Sequence, residues 1–310
     1  MANDHFYIVN YRFGPFAERC KKQLLLQPTF MHVTKIILLM RVLSILIATC
    51  IIASVCKAQD NYEIQVYASP VVGKDTTMVE LHSNYSFVGN VNGGGLVSTN
   101  HMDRETIEIT HGFSNWFELG FYIFNDIGDM GRTNYVGSHL RPRFAAPPSW
   151  NWPVGVSVSF EGGFVKDGYD PDIWTLEIRP IIDKQFGPVY LALNPVLDAT
   201  FKGADAGKGL FFAPAFKFSY QIGKVWAPGI EYYTSIGPLS GFPPFDQQQH
   251  QLFLAVDADF DPRWEFNAGY GFGLTNSIDR SIFKVILGRR FGGGKHTSNK
   301  QLAFQHHGAW

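Results

Sequence analysis

Charged residues in this chain sit singly between apolar neighbours, on alternate positions. Glu108 lies between Ile107 and Ile109, Glu118 between Phe117 and Leu119, and Arg141 between Leu140 and Pro142. The same holds for Arg143, Glu177, Arg179, Lys217, Glu231, Asp257, Glu265 and Lys284. A strand turns successive side chains to opposite faces, so each of these charges belongs to a face opposite the apolar one. Parity adds Glu80, Glu161, Asp183, Asp198, Asp259 and Arg263, with His82 and His139. Two kinds of chemistry suit such a face. Rings of fixed charge around a passage select ions and solutes. A fully paired network instead holds a narrow interior rigid, because a buried charge needs a partner. The expected constriction has Arg141, Arg143 and Arg179 facing Glu177 and Glu231.

Other motifs carry less. Asp257-Ala258-Asp259-Phe260-Asp261 spaces acids like the start of a calcium loop, but lacks the following Gly and the distal Glu. Asp167, Asp170 and Asp172 suit a solvated loop, or one bridging divalent cations to lipopolysaccharide. Gly93-Gly94-Gly95 has no strand-to-helix context for phosphate, and His306-His307 is too short for a metal site. His82-Ser83 and Ser138-His139 are sequence neighbours. Adjacent strand residues point apart, so neither pair makes a nucleophile and its base. No catalytic, cofactor or metal residue is assigned, and the chain is not read as an enzyme.

These positions require strands. Trp174, Leu176 and Ile178 alternate with Thr175, Glu177 and Arg179, and Val154, Val156, Val158 and Phe160 alternate with Gly155, Ser157, Ser159 and Glu161. This period of two predicts half-apolar strands. Twelve are expected, near 77–88, 103–111, 115–125, 133–145, 153–164, 172–186, 188–201, 209–222, 225–236, 248–260, 263–274 and 280–291. An apolar face against a small or charged one, repeated in segments of about ten residues, predicts an all-β, antiparallel, up-and-down transmembrane barrel. In lipid such a sheet must close. Short turns at 112–114, 186–188, 223–224 and 261–262, and a longer one at 147–151, alternate with longer loops. All the turns fall on one side with both termini, as periplasmic turns and outer loops do.

Aromatic residues mark that side. Trp116, Trp150, Trp152, Trp226 and Trp264 flank the short turns, joined by Phe186, Tyr190, Tyr220 and Phe260, as an interfacial girdle. Pro142, Pro180, Pro195, Pro214 and Pro228 count against strands, since proline removes a ladder donor. Parity points all five to lipid, and bulges are expected to absorb them.

The N-terminal region differs. An apolar run from Ile36 to Val55, broken by Arg41, ends in Cys56-Lys57-Ala58, a secretory signal pattern with a cut after Ala58. Residues 31–58 are therefore read as the signal. Residues 1–30 are read as a start-site artefact or extended leader, 59–76 as an extension tucked into the barrel mouth, 77–291 as the barrel and 292–310 as a disordered tail. All three cysteines (Cys20, Cys50, Cys56) precede the cut, which leaves no disulfide framework in the exported chain. Residues 1–58 carry seven basic and two acidic side chains, so 19 basic and 25 acidic remain of the total of 26 and 27, a net charge of −6. That balance gives no support to nucleic-acid binding.

Several phrases are shared with a known group: Glu63-Ile64-Gln65-Val66-Tyr67, Leu81-His82-Ser83-Asn84-Tyr85, Thr110-His111-Gly112-Phe113 and Leu140-Arg141-Pro142-Arg143-Phe144. Leu176 to Ile182, Glu231-Tyr232-Tyr233 and Gln248 to Leu252 belong with them. Together they resemble a family of bacterial outer-membrane barrels similar to the transporter-like proteins labelled as belonging to the meta-pathway of phenol degradation. The resemblance covers nearly all of the exported chain. It implies an outer-membrane location and, more loosely, transport of small apolar or aromatic solutes. It implies no catalytic residues.

The expected function is thus an outer-membrane channel for small solutes. The alternatives are a closed structural barrel with an ion-paired interior, and a lipid-modifying enzyme. No cofactor is expected. Expected partners are outer-membrane lipids and lipopolysaccharide, periplasmic chaperones and the outer-membrane assembly machinery.

Overall fold

Alternating side-chain polarity forms one continuous antiparallel sheet that closes on itself. The computed structural model describes residues 62–91, 95–128 and 131–293. The expected leader, signal and cleavage site lie outside these residues, as do Gly93, Gly94 and the tail from 294 with His306 and His307.

Twelve strands build the wall: β1 (Thr76–Val88), β2 (Met102–Gly112), β3 (Phe117–Ile127), β4 (Thr133–Ala145), β5 (Gly155–Val165) and β6 (Asp172–Phe186). Next come β7 (Val189–Asn194 and Leu197–Gly203), β8 (Leu210–Phe212 and Ala215–Tyr220) and β9 (Trp226–Ser235 and Gly237–Pro238). Finally come β10 (Gln249–Ala258), β11 (Trp264–Gly273) and β12 (Ser281–Gly292). Each strand pairs with the next, and β1 pairs with β12, Leu81 opposite Leu287, so no edge is left open. Every expected strand is present, within a few residues at its ends.

The prolines lie where ladders break. The β4–β5 ladder skips from Leu140↔Gly162 to Arg143↔Ser159, passing over Pro142. The β6–β7 ladder stops at Ile178↔Leu197 and resumes at Ile182↔Leu193, so Pro180 and Pro195 share one gap. Pro214 separates the two parts of β8, and Pro228 lies just past the end of the β8–β9 ladder at Ser219↔Gly229. Each missing donor therefore falls where no ladder partner needs it.

The outer face is apolar and exposed: Leu140 is 50% accessible and Leu254 58%, with Ile107, Phe121, Leu193, Phe283 and Leu287 alongside. Contiguous apolar surface on this scale requires lipid or a partner against it. At the short-turn side Trp116, Trp150, Trp152, Phe186, Tyr220, Trp226 and Phe260 stand exposed, with Trp150 and Trp152 rings 5.0 Å apart and Trp226 and Phe260 5.3 Å apart. Tyr190 is not among them. It is buried and turned inward, donating its hydroxyl to Asp183 at 2.9 Å, because Val189 holds the outward parity at that turn. A second band at the long-loop side, absent from the sequence reading, joins Tyr85, Phe87, Tyr270 and Phe272, and on β5–β6 joins Phe164 to Trp174 at 5.4 Å. A closed sheet with an apolar belt between two aromatic bands is the outer-membrane β-barrel fold, and its place is the cell outer membrane.

Candidate functional site

The lumen is occupied. Residues 62–73 form no strand, and run as an extended segment from the long-loop half of the barrel to its short-turn end. Tyr62 O accepts hydrogen bonds from Asn84 and Thr106, in the outer halves of β1 and β2. Val72 N donates to Glu118 Oε2 at 2.7 Å, near the inner end of β3. Residues 62–73 thus lie along the passage itself.

Wall side chains replace the strand partners this segment lacks. Lys284 donates to Ile64 O at 2.8 Å, Arg179 to Gln65 O at 3.1 Å, and Arg143 to Ala68 O and Pro70 O at 3.0 and 2.8 Å. Asn194 binds Tyr67 twice, accepting from its N–H and donating to its carbonyl. Asp183 takes both the N–H and hydroxyl of Ser69. Apolar packing joins in: Ile64 and Val66 lie among Tyr190, Ala192, Ala215, Tyr233, Phe253 and Ile282, and Tyr62 among Tyr122, Phe124, Val136 and Val165.

Tyr67 is the centre of the arrangement. The guanidinium carbons of Arg179, Arg141 and Arg143 lie 4.8, 4.9 and 5.4 Å from its ring centroid, within cation–π range. Its hydroxyl meets Glu63 and, at 2.8 Å, Tyr122.

The wall charges form separate networks. Arg141 spans Glu108 at 2.5 Å and Glu118 at 3.0 Å, and Glu118 also holds Arg143 at 2.7 Å. Arg179 pairs with Glu177 at 2.6 Å. Glu231 bridges Lys217 at 2.9 Å and Lys284, and Lys217 reaches Asp257 at 2.7 Å. Glu265 meets Arg290 at 2.6 Å near the short-turn end. Gly120 makes room for Arg141, since a Cβ there would lie 3.2 Å from its Nη2 and 2.9 Å from Thr110 Oγ1.

The structure places the eleven candidate residues against the cavities and the segment, and of the expected constriction Arg179 meets Glu177 while the other members have other partners. Arg141 and Arg143 face Glu108 and Glu118, and Glu231 meets Lys217, its direct cross-strand partner, and Lys284 from β12. Two further parity assignments fail at strand ends. Arg263 projects from the β10–β11 turn and pairs with Asp261 at 2.9 Å, and Asp259 lies in the same turn beyond β10. Sequence reasoning missed Arg104, Asp279 and Arg290. Parity on β2 and β12 held the signal for the two arginines, whereas Asp279 lies in a loop where parity says nothing.

Asp279 fastens the outer rim. It accepts from Ser86 Oγ at 2.8 Å, Thr99 Oγ1 at 2.6 Å, Asn90 N at 3.1 Å and Arg104 Nη2 at 3.3 Å. Asp279→Ala is expected to free the 89–101 loop, lowering its opening energy by roughly 2 kcal/mol and raising its rate of proteolysis about thirtyfold. Limited proteolysis of the folded barrel measures this, and an unchanged rate would remove Asp279 as the tie.

Three cavities lie along the segment. One of about 80 Å³ surrounds Tyr67 and is lined by Glu80, Glu108, Glu118, Arg141, Arg143, Lys217 and Glu231 among others. One of about 310 Å³ opens at the short-turn end between Ser69–Val71 and the β4–β5 connection, where Trp152 and Lys184 contribute. The third, about 80 Å³ at the long-loop side, is strongly acidic: Glu63, Glu161, Asp170, Asp172, Glu177, Asp198 and Asp205 face Arg179 and His139. Glu161, Glu177 and Asp198 stand in one row across β5, β6 and β7. The neighbouring Ser–His pairs form no hydrolase site: Ser83 bonds Glu105, Ser138 bonds Tyr135, and His139 bonds Glu161 at 2.8 Å.

No known protein family matches the sequence, and no curated protein matches it. Solved structures do resemble the fold. An outer membrane channel from Pseudomonas putida F1 is 11% identical, with 74% of this chain and 100% of that one covered and a TM-score of 0.49. The KdgM porin is 12% identical, covering 69% of this chain and 99% of its own at a TM-score of 0.46. The NanC porin is 8% identical, covering 70% and 100% at 0.46.

Proposed function

We propose that this protein is an outer-membrane channel for small solutes, held closed by its own N-terminal segment. The observation that carries this reading is where the basic side chains of the wall spend their donors. Arg143, Arg179 and Lys284 bind carbonyls of residues 64–70, which belong to no strand. The twelve-strand ring closes without that segment. Withdrawing it would leave a continuous charged wall, the lining that water and ions accept. The acidic outer cavity favours cations among small solutes, by raising their local concentration. The resemblance instead suggests an apolar or aromatic solute, so the test includes both.

One observation favours a permanently closed structural barrel: Arg141 and Lys217 are each saturated by two carboxylates of the wall itself. Single-channel recording separates the readings. The full exported chain is expected to be silent or to open in brief steps, and deletion of Tyr62–Val72 to give stable steps. A folded, inserted deletion variant that never conducts would overturn the channel reading and leave the closed one. Block of the open steps by a tetraalkylammonium ion, against block by a phenolic solute, assigns the solute class.

A further inference from the structure

The antiparallel register places two acids where a sheet ordinarily avoids them. Glu80 of β1 and Glu108 of β2 are direct cross-strand partners, both facing inward. Like charges directly opposite one another are destabilising, the more so out of water. Glu80 is 5% exposed, Glu108 0% and the adjacent His82 0%. Arg141 and Thr110 answer only one side of Glu108, binding its Oε1 at 2.5 and 2.6 Å. Its Oε2 has no hydrogen-bond partner, nor has Oε1 of Glu80, nor either ring nitrogen of His82. Buried polar atoms of this kind call for a partner.

These atoms converge. One ligand atom from each of Glu80, His82 and Glu108 lies within 4.8 Å of the other two. His82 Nε2 and Glu108 Oε2 are 3.4 Å apart, too long for a charge-assisted hydrogen bond. Two ligands about 2.0–2.1 Å from a shared ion at the tetrahedral angle stand about 3.4 Å apart. Gly288 faces Glu80 across β1–β12, and a Cβ there would lie 2.8 Å from Glu80 Cγ, so the glycine leaves the carboxylate room to adjust. Glu80 and Glu108 also line the cavity around Tyr67.

The geometry points to a divalent transition-metal site in the barrel wall, with Glu80, His82 and Glu108 as ligands and zinc the best-matched ion. One imidazole nitrogen and two carboxylate oxygens suit zinc over calcium or magnesium, which prefer all-oxygen shells. Arg141 and Thr110 orient Glu108 through its other oxygen, as outer-shell partners of metal ligands do. The ion would neutralise the facing glutamates and pin β1 to β2 beside the segment. The site does not depend on whether the lumen conducts.

The test uses the untagged full exported chain, stripped with chelator and equilibrated with zinc or cobalt(II). Wild type is expected to retain one ion per chain and to unfold at higher temperature with zinc. Glu80→Gln and His82→Gln are each expected to weaken binding at least about tenfold, while Asp261→Asn, in the β10–β11 turn away from the triad, leaves it unchanged. Heat-modifiable gel mobility identifies variants that fail to fold. In that event the cobalt spectrum and the zinc-dependent stability of wild type decide. A wild type that retains no ion overturns the site, as does equal retention by wild type, Glu80→Gln and His82→Gln, which would place the metal elsewhere.

Discussion

Arg141→Ala is expected to lower the unfolding free energy of the barrel by roughly 3–5 kcal/mol, the cost of removing one partner from a buried ion pair. Arg141 is almost fully buried and serves two carboxylates on two strands, Glu108 of β2 and Glu118 of β3. Its Nε also bonds the Tyr122 hydroxyl, and its face lies over Tyr67. Truncation leaves Glu108 without its arginine and Glu118 with Arg143 alone. Arg143→Ala is the control. It leaves Arg141 bridging both acids, and the carbonyls it abandons at Ala68 and Pro70 lie by the short-turn cavity, which Pro70 lines. It also gives up its own contact with Glu118, which Arg141 still neutralises, so its expected cost is about 1.5–3 kcal/mol, that of charge-assisted hydrogen bonds. Urea unfolding from lipid vesicles, followed by tryptophan fluorescence, measures both. Equal losses would mean that water already solvates the Glu108–Glu118 pair, and that this part of the lumen is wet.

That contrast depends on features only partly legible in the sequence. The twelve strands were legible because a period of two is a local property, and the chain keeps it from Thr76 to Gly292. Inward parity followed from the same period, and it placed Glu108, Glu118, Arg141 and Lys284 in the lumen without knowledge of any neighbour. Parity fails where strands end, which is why Arg263 and Asp259 leave the wall, whereas Tyr190 keeps the inward parity of its strand and was misplaced by its aromatic character alone. Partner choice was not legible. Whether Arg141 meets Glu108 or Glu177 depends on register around the whole ring, which no local pattern records. Residues 62–73 were the hardest to read. Glu63-Ile64-Gln65-Val66-Tyr67 alternates like a strand, yet it makes no ladder, because β1 and β12 pair with each other and leave no edge for it. The inward aromatics Phe124 and Phe253 also break the small-or-charged pattern of the lining, and they are understandable only once Tyr62 and Ile64 lie against them.

Tyr67→Ala is expected to release the segment while sparing the barrel. Three guanidiniums lie over its ring, and each desolvated cation–π contact is worth on the order of 1 kcal/mol. Losing them shifts the balance between docked and free segment by about 3 kcal/mol, or roughly a hundredfold. Tyr67→Phe separates the two parts of the side chain. It keeps an aromatic face under Arg141, Arg143 and Arg179 and loses only the hydroxyl contacts with Glu63 and Tyr122, so a change of about tenfold or less is expected. The readout exploits the absence of cysteine after Cys56. A single Gln65→Cys reports the segment through its rate of reaction with a bulky, membrane-impermeant maleimide. In the otherwise unchanged chain labelling is slow, and Tyr67→Ala accelerates it by about two orders of magnitude, with heat-modifiable mobility retained. The strands make their ladders without Tyr67, so an intact barrel is the physical expectation. Labelling that stays slow in Tyr67→Ala would mean that Ile64, Val66 and the carbonyl contacts hold the segment without the ring. Loss of the folded band would mean that the segment is a structural core for the barrel, and would count against its role as a removable plug.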